Sequence, residues 1–381
     1  MRECMEKKKY DKILYVLPAF LALVIVFVGL YYVFAEPPAF KEHEKEYRKE
    51  FPAFTSESFF SGKWGQDFEE FLADKMPGRN FLVGVNAYFD LLTGRQNTGD
   101  IWRDEKGNLI EAPVKVDIEP LKKNLGKMVD FAENTGLDTA LIIPTTAGYA
   151  DRELLKKAEW ECYTDNEIIK TIHETFLGKA SFIDISEEFI SCEEQLFYRT
   201  DHHWNEYGAY IAYENICGYF GIETKPFEEF DISYMEGFYG STYSRSGLWL
   251  TKSDTIALLD PGVCVKVRFS DAEGEWDSLF FTEKYADMMD KYPVFLDGNH
   301  PVTYVENLEA EEERTLIMIK DSYAMSLVPM LIGHYSDIVL VDLRYYKQPV
   351  SELASEVGAS QALIVYSPDH LVNDTNIIWL R

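Results

Sequence analysis

A chain of 381 residues is long enough for one large core or two modest ones, and 46% hydrophobic with 27% charged content excludes extended disorder. Its 65 acidic residues against 37 lysines and arginines give a formal net charge of -28. Such a surface repels phosphate backbones and anionic headgroups, so nucleic acid is excluded as a partner, while neutral or cationic ligands are favoured.

The first element is a run without charge from Ile13 to Ala35, longer than the roughly 20 residues needed to cross a bilayer. Arg2, Lys7, Lys8, Lys9 and Lys12 precede it, and Glu36, Glu42, Glu44 and Glu46 follow. The positive-inside bias predicts a cytoplasmic tail over 1–12, a transmembrane helix over 13–35 and an exported remainder. Val33-Phe34-Ala35 also reads as a signal-peptide cleavage site, but the run is long for a signal sequence, and Pro37 and Pro38 crowd the cut. The expectation is a single-pass protein of the cell membrane with its main domain outside.

Residues 36–116 read as a juxtamembrane spacer, helices and a hairpin. Trp64, Phe68, Phe71 and Leu72, then Phe81, Leu82, Val85 and Tyr88, fall at helical spacing, with Met76-Pro77-Gly78 separating two helices. Ile101 to Ile110 has two short apolar runs around a polar turn containing Gly107, the pattern of a β-hairpin.

From Asp117 to Arg381 helical and strand patterns alternate. Helices are predicted over Ile118–Asn134 and Asn166–Leu177. Strands are predicted at Thr139–Ile143, Ser181–Ile185, Thr315–Ile319, Ile338–Val341 and Ala362–Tyr366. This predicts an α/β domain with a doubly wound parallel sheet, helices on both faces and ligands beyond the carboxyl ends of the strands. Cys162, Cys192, Cys217 and Cys264 form an even exported set, open to three full pairings or to none, and no CxxC pair suggests a zinc ribbon.

Two short segments carry chemistry. In Asp201-His202-His203-Trp204 a carboxylate two residues before an imidazole can bond one ring nitrogen, fix the tautomer and stabilise the imidazolium when the other nitrogen takes a proton. The plainer role for these histidines is to cap the helical run from Ala209 to Phe220. Asp201, His202 and His203 are also metal-ligand types, but no other cluster offers the remaining ligands at a recognisable spacing. In Leu316 to Ala324 an apolar strand runs into Asp321-Ser322 at a helix N-terminus, where free N–H groups can stabilise an oxyanion and where either residue can equally be a plain cap. Asp369-His370 after the last strand is an internal rival for the base, but its members are adjacent and lack the following Asn and Gly.

Asp201-x-His203-x-Asn205-x-x-Gly208 resembles the Asp/His block of SGNH hydrolases, and Lys320-Asp321-Ser322 resembles their Gly-Asp-Ser block with Lys for Gly. Asp-His-His-Trp followed downstream by Asp-Ser-Tyr resembles the DHHW family and is similar to the AlgX and AlgJ type of O-acetylation protein. In those the histidine block precedes the serine, as here. Phe51-Pro52, Gly62, Phe68-Glu69 and Asp74 to Arg79 look like the family's lead-in, so the resemblance covers most of the chain beyond the apolar run.

The resemblance implies an SGNH-hydrolase-like domain in which Ser322 is the nucleophile, His203 the general base and acid, and Asp201 its orienting carboxylate. It implies Gly240 as an oxyanion-hole candidate, unless that glycine only makes a tight turn, and it implies no cofactor and no metal. The implied activity is transfer of an acetyl group, through an acyl-serine, to a cell-surface polysaccharide, with a membrane-bound acyltransferase as partner and donor. Trp204, Tyr207, Tyr239 and Tyr243 are candidates to stack on sugar rings or are ordinary core aromatics. The alternatives are an acetyl esterase of the same fold and a non-catalytic glycan-binding or assembly protein with a degenerate site.

Overall fold

The computed structural model describes the backbone of residues 2–36, 40–41, 46–113, 116–151, 155 and 163–381, and the side chains of these from Tyr15 onward except 17, 40, 41 and 46. The chain divides into two compact units, one of residues 1–94 with 247–249 and one of 95–246 with 250–381.

In the first unit the apolar run lies on a helix, Arg2–Phe34, that contains Pro18. Part of the run falls outside the described side chains, and among the described residues no helix is long and apolar enough to cross a membrane. After it come the short pair β1 (Phe40–Lys41) and β2 (Glu46–Tyr47). Helices Lys63–Asp74 and Arg79–Leu92 follow, with the break where Pro77 and Gly78 predict it. Trp64 and Phe68, one helical turn apart, stack with centroids 5.0 Å apart. Phe81 and Tyr88 pack on Trp249, and a Cβ on Gly84 would fall 1.7 Å from that indole. Only glycine lets the helix come so close.

The second unit begins with β3 (Asn97–Thr98), β4 (Ile101–Arg103) and β5 (Leu109–Glu111), which include the expected hairpin. The compact division thus falls at Gly94, and the hairpin belongs with the α/β unit. Next come β6 (Asp138–Ile143), β7 (Ser181–Asp184), a β8–β9 ribbon (Asp231–Phe238 and Asp254–Asp260), β10 (Val265–Phe269), β11 (Val302–Asn307), β12 (Thr315–Lys320), β13 (Asp337–Val341) and β14 (Gln361–Val365).

Seven of these form one sheet in the order β10-β11-β13-β12-β14-β6-β7. Strands β13, β12, β14, β6 and β7 are parallel, as predicted. β11 runs antiparallel to both its neighbours, so the sheet is mixed, which corrects the expectation of a doubly wound parallel sheet. The cause is local. β11 passes to β12 through a short polar segment, Leu308–Arg314, with no crossover helix, so it runs opposite to β12 and therefore to β13, which is parallel to β12.

Central strands read as unbroken apolar runs because both faces are covered. Leu316 and Met318 face a core shared with helix Glu206–Phe220 through Ala212, Tyr213 and Ile216. Ile317 and Ile319 face the opposite core, built from helices Ile118–Thr135 and Asp165–Phe176 through Leu125, Met128 and Ile172. Cys192, Cys217 and Cys264 are free thiols, and Cys162 lies outside the described residues.

Candidate active site

The site forms where β12 and β14 end. Leaving β12, Asp321 donates its N–H to the Val365 carbonyl at 3.0 Å. Its carboxylate accepts from Tyr323 N at 2.9 Å and Ser367 N at 2.6 Å, so it caps one turn and ties two strand-end loops together. Ser322 then opens a 3-10 turn, Ser322–Ser326, where its N–H has no intrahelical acceptor. The turn is shorter than the helix expected here.

The histidine block approaches from the loop before helix Glu206–Phe220. Asn205 caps that helix, accepting from Tyr207 N and Gly208 N at 3.0 and 3.2 Å. A Cβ on Gly208 would lie 2.6 Å from the Leu196 carbonyl oxygen, which explains glycine at that spacing. Asp254 grips the loop upstream, accepting from Arg199 N at 3.0 Å and Thr200 N at 2.8 Å. Trp204 Nε1 donates to Ser326 Oγ at 2.9 Å and the Tyr323 hydroxyl donates to the His202 carbonyl, locking the block to the serine turn.

These ties bring Asp201, His203 and Ser322 together. His203 Nδ1 is hydrogen-bonded to Asp201 Oδ2, and His203 Nε2 lies 2.7 Å from Ser322 Oγ. Asp201 is 3% exposed and His203 5%, and the Tyr292 ring stacks on the imidazole at 3.8 Å with planes 11° apart. The second carboxylate oxygen of Asp201 accepts from Ser241 N and Ser241 Oγ, each at 2.7 Å.

Electrostatics follow from this burial. Burial alone would raise the Asp201 carboxyl, but the charges of His203 and His202 hold it well below the usual carboxylate range. Burial and the neighbouring charge of His202 push His203 down against the pull of Asp201. For His202 burial opposes the charge, but Asp201 outweighs it and raises the group to about 9.

Gly240 sits against Asp201: a Cβ there would lie 2.2 Å from the Asp201 Cβ. Its N–H goes to Thr200 Oγ1 at 3.3 Å, so it is committed to the carboxylate's housing rather than to an oxyanion hole. Lys320, where a glycine was expected, is 1% exposed and bonded to Asn299 Oδ1 at 2.6 Å, with Asp342 Oδ2 at 3.4 Å. Burial pushes its ammonium down to about 8 against the pull of Asp342. Asp342 also holds Arg344 in a two-point pair at 2.9 and 2.6 Å.

Ser322 opens on a cleft of about 440 Å³ that His202, Arg344, Asp369 and His370 also line. His370 pairs with Asp374 at 3.5 Å, and no described hydrogen bond joins it to Ser322. Burial, with Glu111 and Asp165 nearby, raises Asp369 to about 6. Among the aromatics considered for sugar stacking, Trp204 is 0% exposed and is a core residue, Tyr207 is 44% exposed and stacks on Phe227, and Tyr239 packs against Tyr243. Ligand atoms of Asp201, His202 and His203 lie within 4.8 Å of one another, but the Asp201 carboxylate and His203 Nδ1 are already committed to each other.

Sequence reasoning missed Tyr292, Ser241, Asp254 and Ser326. Tyr292, Ser241 and Asp254 carry no local signal because each reaches the histidine block from elsewhere in the chain, and Ser326, on the nucleophile's own turn, shows its role only where Trp204 meets it.

Residues 173–341 match the DHHW family. The likeness read from Asp-His-His-Trp and Asp-Ser-Tyr is thereby shown, and the DHHW segment contains Asp201, His203 and Ser322. The fold is similar to that of a DHHW family protein from Eubacterium siraeum, with TM-score 0.63 and 19% identity over 72% of this chain and 92% of that one. It is also similar to Bacillus cereus PatB1 with a sulfonyl adduct, with TM-score 0.62 and 17% identity over 74% and 98% of the two chains. The O-acetyltransferase domain of Pseudomonas putida AlgJ aligns with TM-score 0.41 and 13% identity over 72% and 92%. No curated protein matches the chain.

Proposed function

We propose that this chain is a membrane-anchored, extracytoplasmic serine acyltransferase that O-acetylates a cell-surface polysaccharide. The observation that carries the reading is the relay from Asp201 through His203 to Ser322, with His203 Nε2 2.7 Å from the hydroxyl. Ser322 Oγ attacks the acyl carbonyl as His203 Nε2 takes its proton. Collapse of the tetrahedral intermediate breaks the bond to the leaving group, which receives that proton, and leaves an acyl-serine. A sugar hydroxyl then gives its proton to His203 and bonds to the acyl carbon; the Ser322 Oγ–acyl bond breaks, and Oγ takes the proton back from His203. Asp201 holds the ring in the productive tautomer and stays ionised throughout.

The acetyl group, the polysaccharide acceptor and a membrane-bound acyltransferase as donor rest on the likeness to the DHHW and AlgX/AlgJ type. The tether rests on the uncharged run over 13–35 and its flanking charges.

Turnover of 4-nitrophenyl acetate, followed with and without an oligosaccharide acceptor, tests the reading beside Ser322→Ala and His203→Ala. Acetate release lost in both variants, with acetylated sugar formed by the parent, is the expected result. Release to water alone makes the protein an esterase. Turnover indifferent to both substitutions overturns the serine mechanism.

A further inference from the structure

Two imidazoles share Asp201. His203 meets the carboxylate through Nδ1 and aims Nε2 at Ser322 Oγ. His202 Nδ1 stands 3.4 Å from Asp201 Oδ1 and 2.7 Å from Ser241 Oγ. The two ring centroids are 4.0 Å apart, with planes tilted by 34°. With Nδ1 of each ring turned towards Asp201, Nε2 of each ring lies on the far side from the carboxylate, and for His203 that side is where Ser322 stands. The His202 ring lines the cleft with Ser322, and among the described residues its Nε2 has no hydrogen-bond partner.

Three backbone N–H groups near the nucleophile are taken. Those of Tyr323 and Ser367 go to Asp321, and that of Gly240 goes to Thr200. The Ser322 N–H, at the first position of its turn, is left with one missing companion.

We propose that His202 supplies the second oxyanion donor, its Nε2–H receiving the carbonyl oxygen beside the backbone N–H of Ser322. This rests on the acyl-serine reading above. When the Ser322 Oγ–carbon bond forms, the carbonyl π pair moves onto oxygen, the serine proton goes to His203, and His202 keeps its own proton. A charged donor suits that oxygen better than a neutral one. Asp201 holds His202 protonated against burial, assisted by Glu111 and Asp321, and the Asp369 carboxylate also feels its charge across the cleft.

The test uses the full chain, 4-nitrophenyl acetate and the variants His202→Leu, His202→Gln and Ser322→Ala, over a range of pH. Removing one oxyanion donor costs about 10²-fold in kcat, so the Leu variant is expected to lose about that with KM changed less than about threefold. The Gln variant keeps an N–H without charge and is expected to lose about 10-fold. The parent kcat is expected to fall on an alkaline limb near pH 9 that both variants lack, which a merely structural role does not produce. Parental kcat in both variants, or persistence of that limb, overturns the assignment. If the Leu variant fails to fold, the Gln variant decides. Turnover surviving in Ser322→Ala means that the acyl-serine reading has failed. Its loss there, with His202→Gln unchanged, sinks only the oxyanion role.

Discussion

Two Asp/His pairs differ in geometry: Asp201 and His203 lie buried behind Ser322, while Asp369 and His370 line the cleft on which it opens. Asp201 and His203 are two residues apart in a bent loop, and the bend brings the carboxylate onto the ring. Asp369 and His370 are neighbours in helix Pro368–Asn373, where consecutive side chains diverge by about 100°. His370 therefore turns to Asp374, one helical turn on, and among the described residues Asp369 makes no ion pair with it. An acid–base pair depends on what backbone carries it as much as on which residues it contains.

That contrast can be broken most sharply by activity. Ser322→Ala and His203→Ala should each lower kcat at least about 10³-fold, whereas His370→Ala should leave it within about threefold. Equal losses for both histidines in steady-state turnover would erase the distinction between the pairs. Asp201→Asn should cost about 10³–10⁴-fold through the wrong tautomer, and Asp374→Asn should not touch kcat.

A steric test sharpens the comparison further. Gly240→Ala places a Cβ 2.2 Å from the Asp201 Cβ, so the carboxylate must shift. The expected outcome is a stability loss of about 1–3 kcal/mol by denaturant titration, with a disproportionate fall in kcat.

The pH profile separates the pairs by sign. His203 acts as a base only when neutral, and its pKa is lowered, so kcat/KM should rise with pH through a midpoint below the usual ~6.5. A midpoint above that value assigns the limb to another group. The smallest effect concerns Asp374, whose carboxyl burial would raise but whose bonds to His370 and Asn376 lower. Because its folded pKa is depressed, its contribution is present above the unfolded value near ~3.9 and is lost as pH falls through the folded one. Asp374→Asn should cost about 1 kcal/mol at neutral pH, and the gap to the parent should narrow in acid.

Much of this was legible before any coordinates. The strands carrying Ile142, Ile317, Leu340 and Ile364 announce themselves as apolar runs because burial on both faces leaves them no alternative. The Pro77-Gly78 break and the Ile101–Ile110 hairpin are written in local turn chemistry. β10 lacks an unbroken apolar run: Val265–Phe269 alternates, with Lys266 and Arg268 between apolar residues, because it is a half-exposed edge strand, and so short an alternation stands out little from its surroundings. For Gly240 the sequence leaves both an oxyanion donor and a plain tight turn open, and only its packing against Asp201 and its bond to Thr200 decide its place.

The sequence by itself determined the residue types of the site and the spacing that lets Asp201 reach His203, since both are properties of a few adjacent residues. It also determined the uncharged run over 13–35 and the strongly acidic surface. Tertiary structure alone decided which serine meets which histidine across 119 positions, that Tyr292 covers the imidazole, that Lys320 serves Asp342 rather than the nucleophile, and that His202 shares the carboxylate. All but the last are contacts between segments apart in the chain, fixed by how the mixed sheet sets its strand ends beside one another, and the last depends on the bend those contacts hold; no local pattern encodes them.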